Sequence, residues 1–453
     1  MAVDVTVGID IGTTSVKAVA ADGEGRVVAR TRVPRPLRAR HAGELAHDAR
    51  ASWRDGAVEA LGAVMSSEAE GNRAVRGVNV AAMVPSLCAV DGEGVPVSDG
   101  LLYGDSRGAG GDPAADPASS GELARFLAWL AREHPDAAGY WPAQAVANRA
   151  LGGAGAAAIE TTVAMTAVPL FDMQSWDPAV AAKAGVDDTG RLPRIVVGSE
   201  PVGRVEAAGG APLGGGTIDA FAEQLVAGAD RDGDVLVILG ATLIVWAVIP
   251  EWREAPGVWT VPHTAPGKSL IGGPSNAGGL FVGWVDRMLG GRSDEPLGDP
   301  GRVPVWQPYL RGERVPLHDP ERRASLHDLD IGVGAAAVRR AAHEASAFAA
   351  RHLLDLAGVT GTARRIVATG GGVRDAAWVQ ALADATALPV DPVAVPEGAA
   401  LGAAWLARVT AGLEDSAPGD AGRWASWGRR VEPDAQWAPG VAERYARYRE
   451  LAG

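Results

Sequence analysis

The strongest constraint on the fold is a strand–turn–strand written twice. Residues 5–21 read Val-Thr-Val-Gly-Ile-Asp-Ile-Gly-Thr-Thr-Ser-Val-Lys-Ala-Val-Ala-Ala, two β-rich runs around the small, polar turn Gly12-Thr13-Thr14-Ser15. Residues 235–248 repeat the layout as Val-Leu-Val-Ile-Leu-Gly-Ala-Thr-Leu-Ile-Val-Trp-Ala-Val. Laying Gly12 on Gly240 places Thr14 on Thr242, Val16 on Ile244 and Ala18 on Trp246, an offset of 228 residues in a chain of 453. Elsewhere strand and helix signals alternate, so the sequence predicts two related α/β halves, each opening on a hairpin.

The remaining elements fit that plan. Leu123, Phe126, Leu127 and Leu130 share one helical face that ends before Pro135. The alanine-rich run 334–357 predicts a long buried helix, and Arg365-Ile-Val-Ala-Thr a short strand entering Gly370-Gly371-Gly372, with a helix over 376–386. Residues 108–120, rich in Gly, Pro and Asp, read as a surface loop. The expected division is 1–231, 232–412, and an appendage 413–453 that packs back on the body and ends in a charged helix with Arg444, Tyr445, Arg447 and Tyr448.

Composition removes several function classes. The net charge of −13 opposes binding to a polyphosphate backbone, so no nucleic-acid partner is expected. It leaves small anions open, because a cradle of backbone N–H groups holds a phosphate inside an acidic protein. The lone Cys88 precludes an internal disulfide or a multi-cysteine zinc site, and the eight histidines show no ligand spacing. The most apolar uncharged run, Val235 to Pro250, is 16 residues long, short of a membrane span, and the first twenty residues lack a signal-peptide pattern. The plain expectation is a soluble cytoplasmic protein with no membrane partner.

The chemistry begins at the first turn. A hairpin tip of glycine and hydroxyl residues (Gly12, Thr13, Thr14, with Lys17 behind) offers N–H groups and Oγ atoms to a phosphate. Asp10, two residues before the glycine, is placed to hold Mg2+ directly or through water. An ordinary hairpin explains the tetrapeptide alone. The position of Asp10 and the second copy at Gly240-Ala241-Thr242 favour the phosphate reading. Asp219 lies in the first turn of a helix through Phe221, Leu225 and Val226 that Thr217 is expected to cap. By itself it reads as an acid complementing the helix dipole.

These residues resemble a known family. The first turn, the second turn and Thr369-Gly370-Gly371-Gly372 are similar to the two phosphate segments and the adenosine segment of the actin, sugar-kinase and heat-shock-chaperone superfamily. Within it the chain looks like an FGGY-type carbohydrate kinase, xylulokinase-like. The supporting stretches are Gly216-Thr217-Ile-Asp219-Ala, Pro274-Ser-Asn276-Ala-Gly278-Gly279, Pro308-Tyr309-Leu-Arg-Gly312-Glu313-Arg314-Val-Pro316 and Glu397-Gly-Ala-Ala-Leu-Gly402, in the family's order. The resemblance implies two actin-like (ribonuclease H-like) α/β domains flanking a cleft that closes on its ligands, with ATP and Mg2+ as cofactors. It implies Asp219 as general base on a primary hydroxyl of a small sugar or polyol, with a pentulose such as xylulose favoured. It places adenosine against Gly279, Gly371 and Gly372, and the sugar near Met83, Val84, Asp105 and Arg107. Asp105 and Arg107 either bond sugar hydroxyls or pair with each other or with neighbours. Glu313 and Arg314 similarly read as a structural ion pair or as a substrate contact. A homodimer is compatible with all of this.

Two departures bear on substrate. Many pentulose kinases carry Gln-Met-His-Gly where this chain has Ala82-Met83-Val84-Pro85, which removes two polar sugar contacts. Ala241 stands where Gly or Thr is usual and still supplies its N–H. An actin-like ATPase and a degenerate kinase acting as a sensor are the alternatives, although only about 40 residues follow Gly412, too few for a chaperone's peptide-binding region. Some matches mislead. Gly267-Lys268-Ser269 ends like a P-loop whose first glycine would be Pro262, Gly370-Gly371-Gly372 is no dinucleotide fingerprint because Asp375 takes the last glycine's place, and no Gly-x-Ser-x-Gly elbow occurs. The 14 tryptophans read mainly as core.

Overall fold

A computed structural model describes residues 3–39, 41, 43–67, 73–108, 121–265, 267–291, 300–417 and 420–452. The loop expected over 108–120 lies outside these, apart from Gly108. The chain forms two units, residues 1–226 with 397–424, and residues 227–396 with 425–453. Strands of the two main sheets are numbered in chain order.

The first unit holds β1 (Val3–Ile11), β2 (Ser15–Ala21), β3 (Val27–Pro34), β4 (Arg73–Ala82), β5 (Gly203–Val205), β6 (Ala211–Leu213) and β7 (Thr217–Ile218). β1, β2 and β3 form an antiparallel meander; β4 runs parallel to β1, and β6 and β7 run parallel to β4. From Val5 to Ile11 every residue of β1 is buried, as a strand covered on both faces requires. One cover is the helix Gly398–Thr410, which lies almost on the sheet because Gly8 lacks a side chain. A Cβ at Gly8 would sit 1.9 Å from the Ala400 carbonyl oxygen, and one at Gly402 would sit 1.9 Å from that of Ala222. This packing assigns residues 397–424 to the first unit, although in sequence they follow the second hairpin.

The second unit holds β8 (Asp234–Leu239), β9 (Leu243–Ile249), β10 (Trp259–Pro262), β11 (Ser269–Ser275), β12 (Arg365–Thr369) and β13 (Val390–Pro392). β8, β9 and β11 are antiparallel, β12 is parallel to β8, and β13 is parallel to β12. The order β11-β9-β8-β12-β13 repeats β3-β2-β1-β4-β7 strand for strand. The internal repeat therefore extends well beyond the hairpins. The expected long helix runs Ala335–Leu356, with Phe348 and Leu353 in the core.

The tail after Gly412 divides. Trp424 meets Trp405 edge-on at 5.3 Å in the first unit, whereas the helix Ala438–Ala452 belongs to the second. There Arg444 donates to Glu344 at 2.6 and 2.8 Å, and Glu344 also accepts from Arg340, which reaches Asp384 at 2.6 Å. All four groups are buried, so the polar network is satisfied internally. Among the described residues no helix is long and apolar enough to cross a membrane.

Candidate active site

Three of the parallel strands of the first unit, β1, β4 and β7, end in a row. Ile11 pairs with Ala82, and Ala82 with Ile218, so Gly12, Met83 and Asp219 each follow a strand at the same level. In open α/β sheets, ligands gather at these carboxyl ends. Gln144, fully buried, ties β4 to β7 there by donating to the carbonyls of Ala82 and Thr217, both at 3.1 Å. Thr217 is thus a strand residue and not the cap expected of it. The helix Asp219–Ala227 begins on Asp219 itself, whose carboxylate accepts the Ala220 N–H at 2.8 Å.

At the first turn, the Gly12 N–H closes onto the Ser15 carbonyl at 3.1 Å, and the Thr14 carbonyl takes the Arg35 N–H at 3.0 Å. The Thr13 hydroxyl is engaged with Tyr103 Oη at 3.2 Å, so it is not the open group the sequence suggested. The consecutive N–H groups of Thr13 and Thr14 have no acceptor among the described residues. They are the donors a phosphate would find.

Behind the turn lie four ionisable side chains. Asp10 and Lys17 are directly opposite across the hairpin, and Lys17 Nζ donates to Asp10 Oδ2 at 2.7 Å. Burial alone would lower the Lys17 ammonium, but the Asp10 carboxylate bonded to it, with Glu223 adding, raises it overall. Asp219 is half-buried, and its carboxyl is pushed up to about 6, first by lost hydration and then by the charge of Asp10. One helical turn on, Glu223 is 7% exposed and is pushed up to about 8, first by burial, against the attraction of Lys17. Its Oε2 is buried without a partner, as is Asp10 Oδ1. Sequence reading missed Glu223. The one available hint was its position four residues after Asp219, on the same helical face.

The unpartnered Asp10 Oδ1 is the observation that tests a divalent cation here. Among the described residues no three His, Cys, Asp or Glu side chains are grouped to hold a metal. A single free carboxylate oxygen nevertheless suits Mg2+, which takes one or two carboxylates and completes its shell with phosphate and water.

The residues expected around the sugar are less unified. Met83 is buried, and Val84 packs on an apolar cluster that includes Leu87, Leu123 and Tyr140. Asp105 and Arg107 pair with each other through two bonds of 2.7 Å, and the second Asp105 oxygen also accepts the Leu45 N–H. The Arg107 guanidinium lies 5.2 Å over the Trp129 ring. Of the two readings open for this pair, the structure displays mutual pairing.

The second unit builds a matching turn. The Gly240 N–H closes onto Thr242, and the Gly240 and Ala241 carbonyls accept the N–H groups of Gly279 and Leu280 at 2.8 and 2.9 Å. The Ala241 and Thr242 N–H groups have no acceptor among the described residues. Gly279 and Gly372 allow the chain to approach itself: a Cβ at Gly279 would lie 2.7 Å from the Gly240 oxygen, and one at Gly372 would lie 2.6 Å from Leu239 and Trp378. Gly371 faces open space, with nothing within 4 Å of a Cβ. Glu313 accepts from the Ser275 hydroxyl at 2.5 Å and from the Asn276 N–H at 2.8 Å, and its burial pushes it up to about 7. These bonds clamp the segment before Gly279.

Residues 5–111 match the N-terminal domain, and residues 235–411 the C-terminal domain, of the FGGY family of carbohydrate kinases. The chain belongs to that family. This carbohydrate kinase is 29% identical over 445 residues to the xylulose kinase of Streptomyces coelicolor, covering 91% of this chain and 89% of that one. It is 27% identical over 469 residues to the glycerol kinase of Rhodospirillum rubrum, covering 92% of each. Its fold matches the solved xylulose kinase of Rhodospirillum rubrum with a TM-score of 0.73 at 25% identity, covering 98% and 97% of the two chains. It also matches the Plasmodium falciparum glycerol kinase solved with ADP, with a TM-score of 0.75 at 15% identity, covering 100% and 98%. The two units are therefore the two actin-like domains of a sugar kinase, and the enzyme is an ATP-dependent phosphotransferase with an alcohol acceptor.

Proposed function

We propose that this kinase passes the γ-phosphoryl group of ATP to a primary hydroxyl of a small sugar or polyol in the cytoplasm, with the pentulose xylulose favoured. Similarity to several xylulose kinases over about nine-tenths of this chain supports that substrate. Residues 1–231 carry the transfer chemistry, and residues 232–412 hold the rest of the nucleotide. Asp219 carries the reading: it is half-buried at the end of a parallel strand, with its carboxyl raised to about 6, first by burial. Near neutral pH such a group is ionised yet basic enough to accept a hydroxyl proton as the phosphoryl group leaves ATP. That transfer has a loose transition state, so positioning outweighs base strength.

The N–H groups of Thr13, Thr14, Ala241 and Thr242 bind phosphate oxygens in this reading. Lys17 supplies positive charge beside Asp10, whose free Oδ1 would hold Mg2+. The metal, when bound, neutralises charge on the phosphates. Gly371 leaves open room for adenosine, and Met83, Val84, Asp105 and Arg107 border the sugar. The test is a screen of ketoses and polyols for sugar-dependent ADP release, with Asp219→Asn alongside. The variant is expected to bind ADP normally and lose transfer by about 100-fold or more. Wild-type turnover by Asp219→Asn on a confirmed substrate refutes the assignment.

A further inference from the structure

The two phosphate turns expose equivalent N–H groups, but different chemistry holds them in place. A trans peptide is planar, so the carbonyl of one residue and the N–H of the next point in opposite directions. Fixing the carbonyl therefore aims the N–H. In the second turn the Ala241 carbonyl is fixed by the Leu280 N–H at 2.9 Å, which turns the Thr242 N–H outward. Thr13 is the counterpart of Ala241 under the 228-residue offset. Among the described residues no backbone N–H reaches its carbonyl; a histidine side chain does.

His47 is completely buried, on the short strand Ala46–Asp48. Its Nε2 lies 2.7 Å from the Thr13 carbonyl oxygen, and its Nδ1 accepts the indole N–H of Trp53 at 3.0 Å. A carbonyl only accepts and an indole N–H only donates, so these partners fix the neutral imidazole with its proton on Nε2. Burial lowers the ring's proton affinity and supports the same form. Trp53 is itself held: it is fully buried over Gly100, where a Cβ would meet the indole at 2.2 Å.

We propose that His47, held by Trp53, is a positioning residue for nucleotide binding: it anchors the Thr13 carbonyl and so aims the Thr14 N–H at a phosphate of ATP. The inference rests on the phosphate reading of the first turn. His47→Asn keeps a carbonyl for the Trp53 indole but is too short to reach Thr13, whereas His47→Gln restores an N–H at the Nε2 position. In the whole 453-residue chain, His47→Asn is expected to weaken ATP binding about tenfold, and His47→Gln to recover most of that loss. The KM for the sugar stays near wild type, and the melting temperature falls in His47→Asn because the ring is completely buried, so binding is compared well below both melting points. Thr14→Pro, which deletes the aimed N–H, is expected to weaken ATP as much, and the double variant no further, because the two changes remove one contact. ATP affinity unchanged in Thr14→Pro overturns the phosphate reading itself. A loss in Thr14→Pro with none in His47→Asn, or losses that multiply in the double variant, overturns the positioning role alone.

Discussion

Glu223 supplies a prediction whose size follows from its surroundings. Its carboxyl moves from the ordinary 4.5 to about 8 on folding, because burial strips its hydration and Lys17 only partly compensates. The folded state therefore binds a proton that the unfolded chain releases above pH 4.5, and stability falls as pH rises through the interval up to 8. At pH 7 the cost is about 3 kcal/mol, levelling near 5 kcal/mol above pH 9, at roughly 1.4 kcal/mol per unit. Glu223→Gln removes the titration and keeps the shape and an acceptor for the Ala399 N–H that the carboxylate uses. The variant should be more stable than wild type by about 3 kcal/mol at pH 7 and by under about 1 kcal/mol at pH 5. Hydrogen exchange of β1 and β4 amides at several pH values isolates the first unit's opening energy. A gap that does not widen with pH, or a variant less stable than wild type at pH 8.5, would show that Glu223 is ionised and paired in the folded state and not held neutral by burial.

Other consequences follow from the same geometry. Asp219, raised to about 6, must be ionised to accept a proton, so kcat/KM should fall tenfold per unit below pH 6 and flatten above it. Gly371→Ala places its methyl in open space, so the melting temperature should hold while the KM for ATP rises several-fold. Arg444→Ala leaves Glu344 with Arg340 alone in a buried network, and denaturant melts should show a loss of about 3 kcal/mol. Gly402→Ala drives a methyl to within 1.9 Å of the Ala222 carbonyl oxygen, and the helix Asp219–Ala227 must shift. A lower melting temperature and reduced kcat should appear together.

The sequence carried what is local and repeated. Alternation and turn residues announced both hairpins, the offset between them anticipated two sheets of one topology, and the helical face of Leu123 to Leu130 needed no partner to be read. What it concealed depends on distant chain. Nothing near Thr217 says that it pairs with Ala81 in a sheet, or that Gln144 caps the strand end beside it. The tail looked like one appendage because its division between units is decided by Trp405 on one side and Glu344 on the other.

The two residues that sharpen the site most, Glu223 and His47, were missed for one shared reason. Each is polar in a segment whose pattern gives no cause for burial, and each is buried because a glycine distant in sequence lets its cover close. Helix Gly398–Thr410 covers Glu223 because Gly402 lets it close on Ala222. Trp53 seals His47 because Gly100, on another strand, has no side chain to hold it off. In both places a glycine remote in sequence sets the dielectric around an ionisable group. Substituting these glycines should therefore change the site's chemistry as well as its stability. In Gly402→Ala the acid limb of the rate profile should move toward lower pH as water reaches Asp219, while in Gly100→Ala it stays in place and ATP affinity falls.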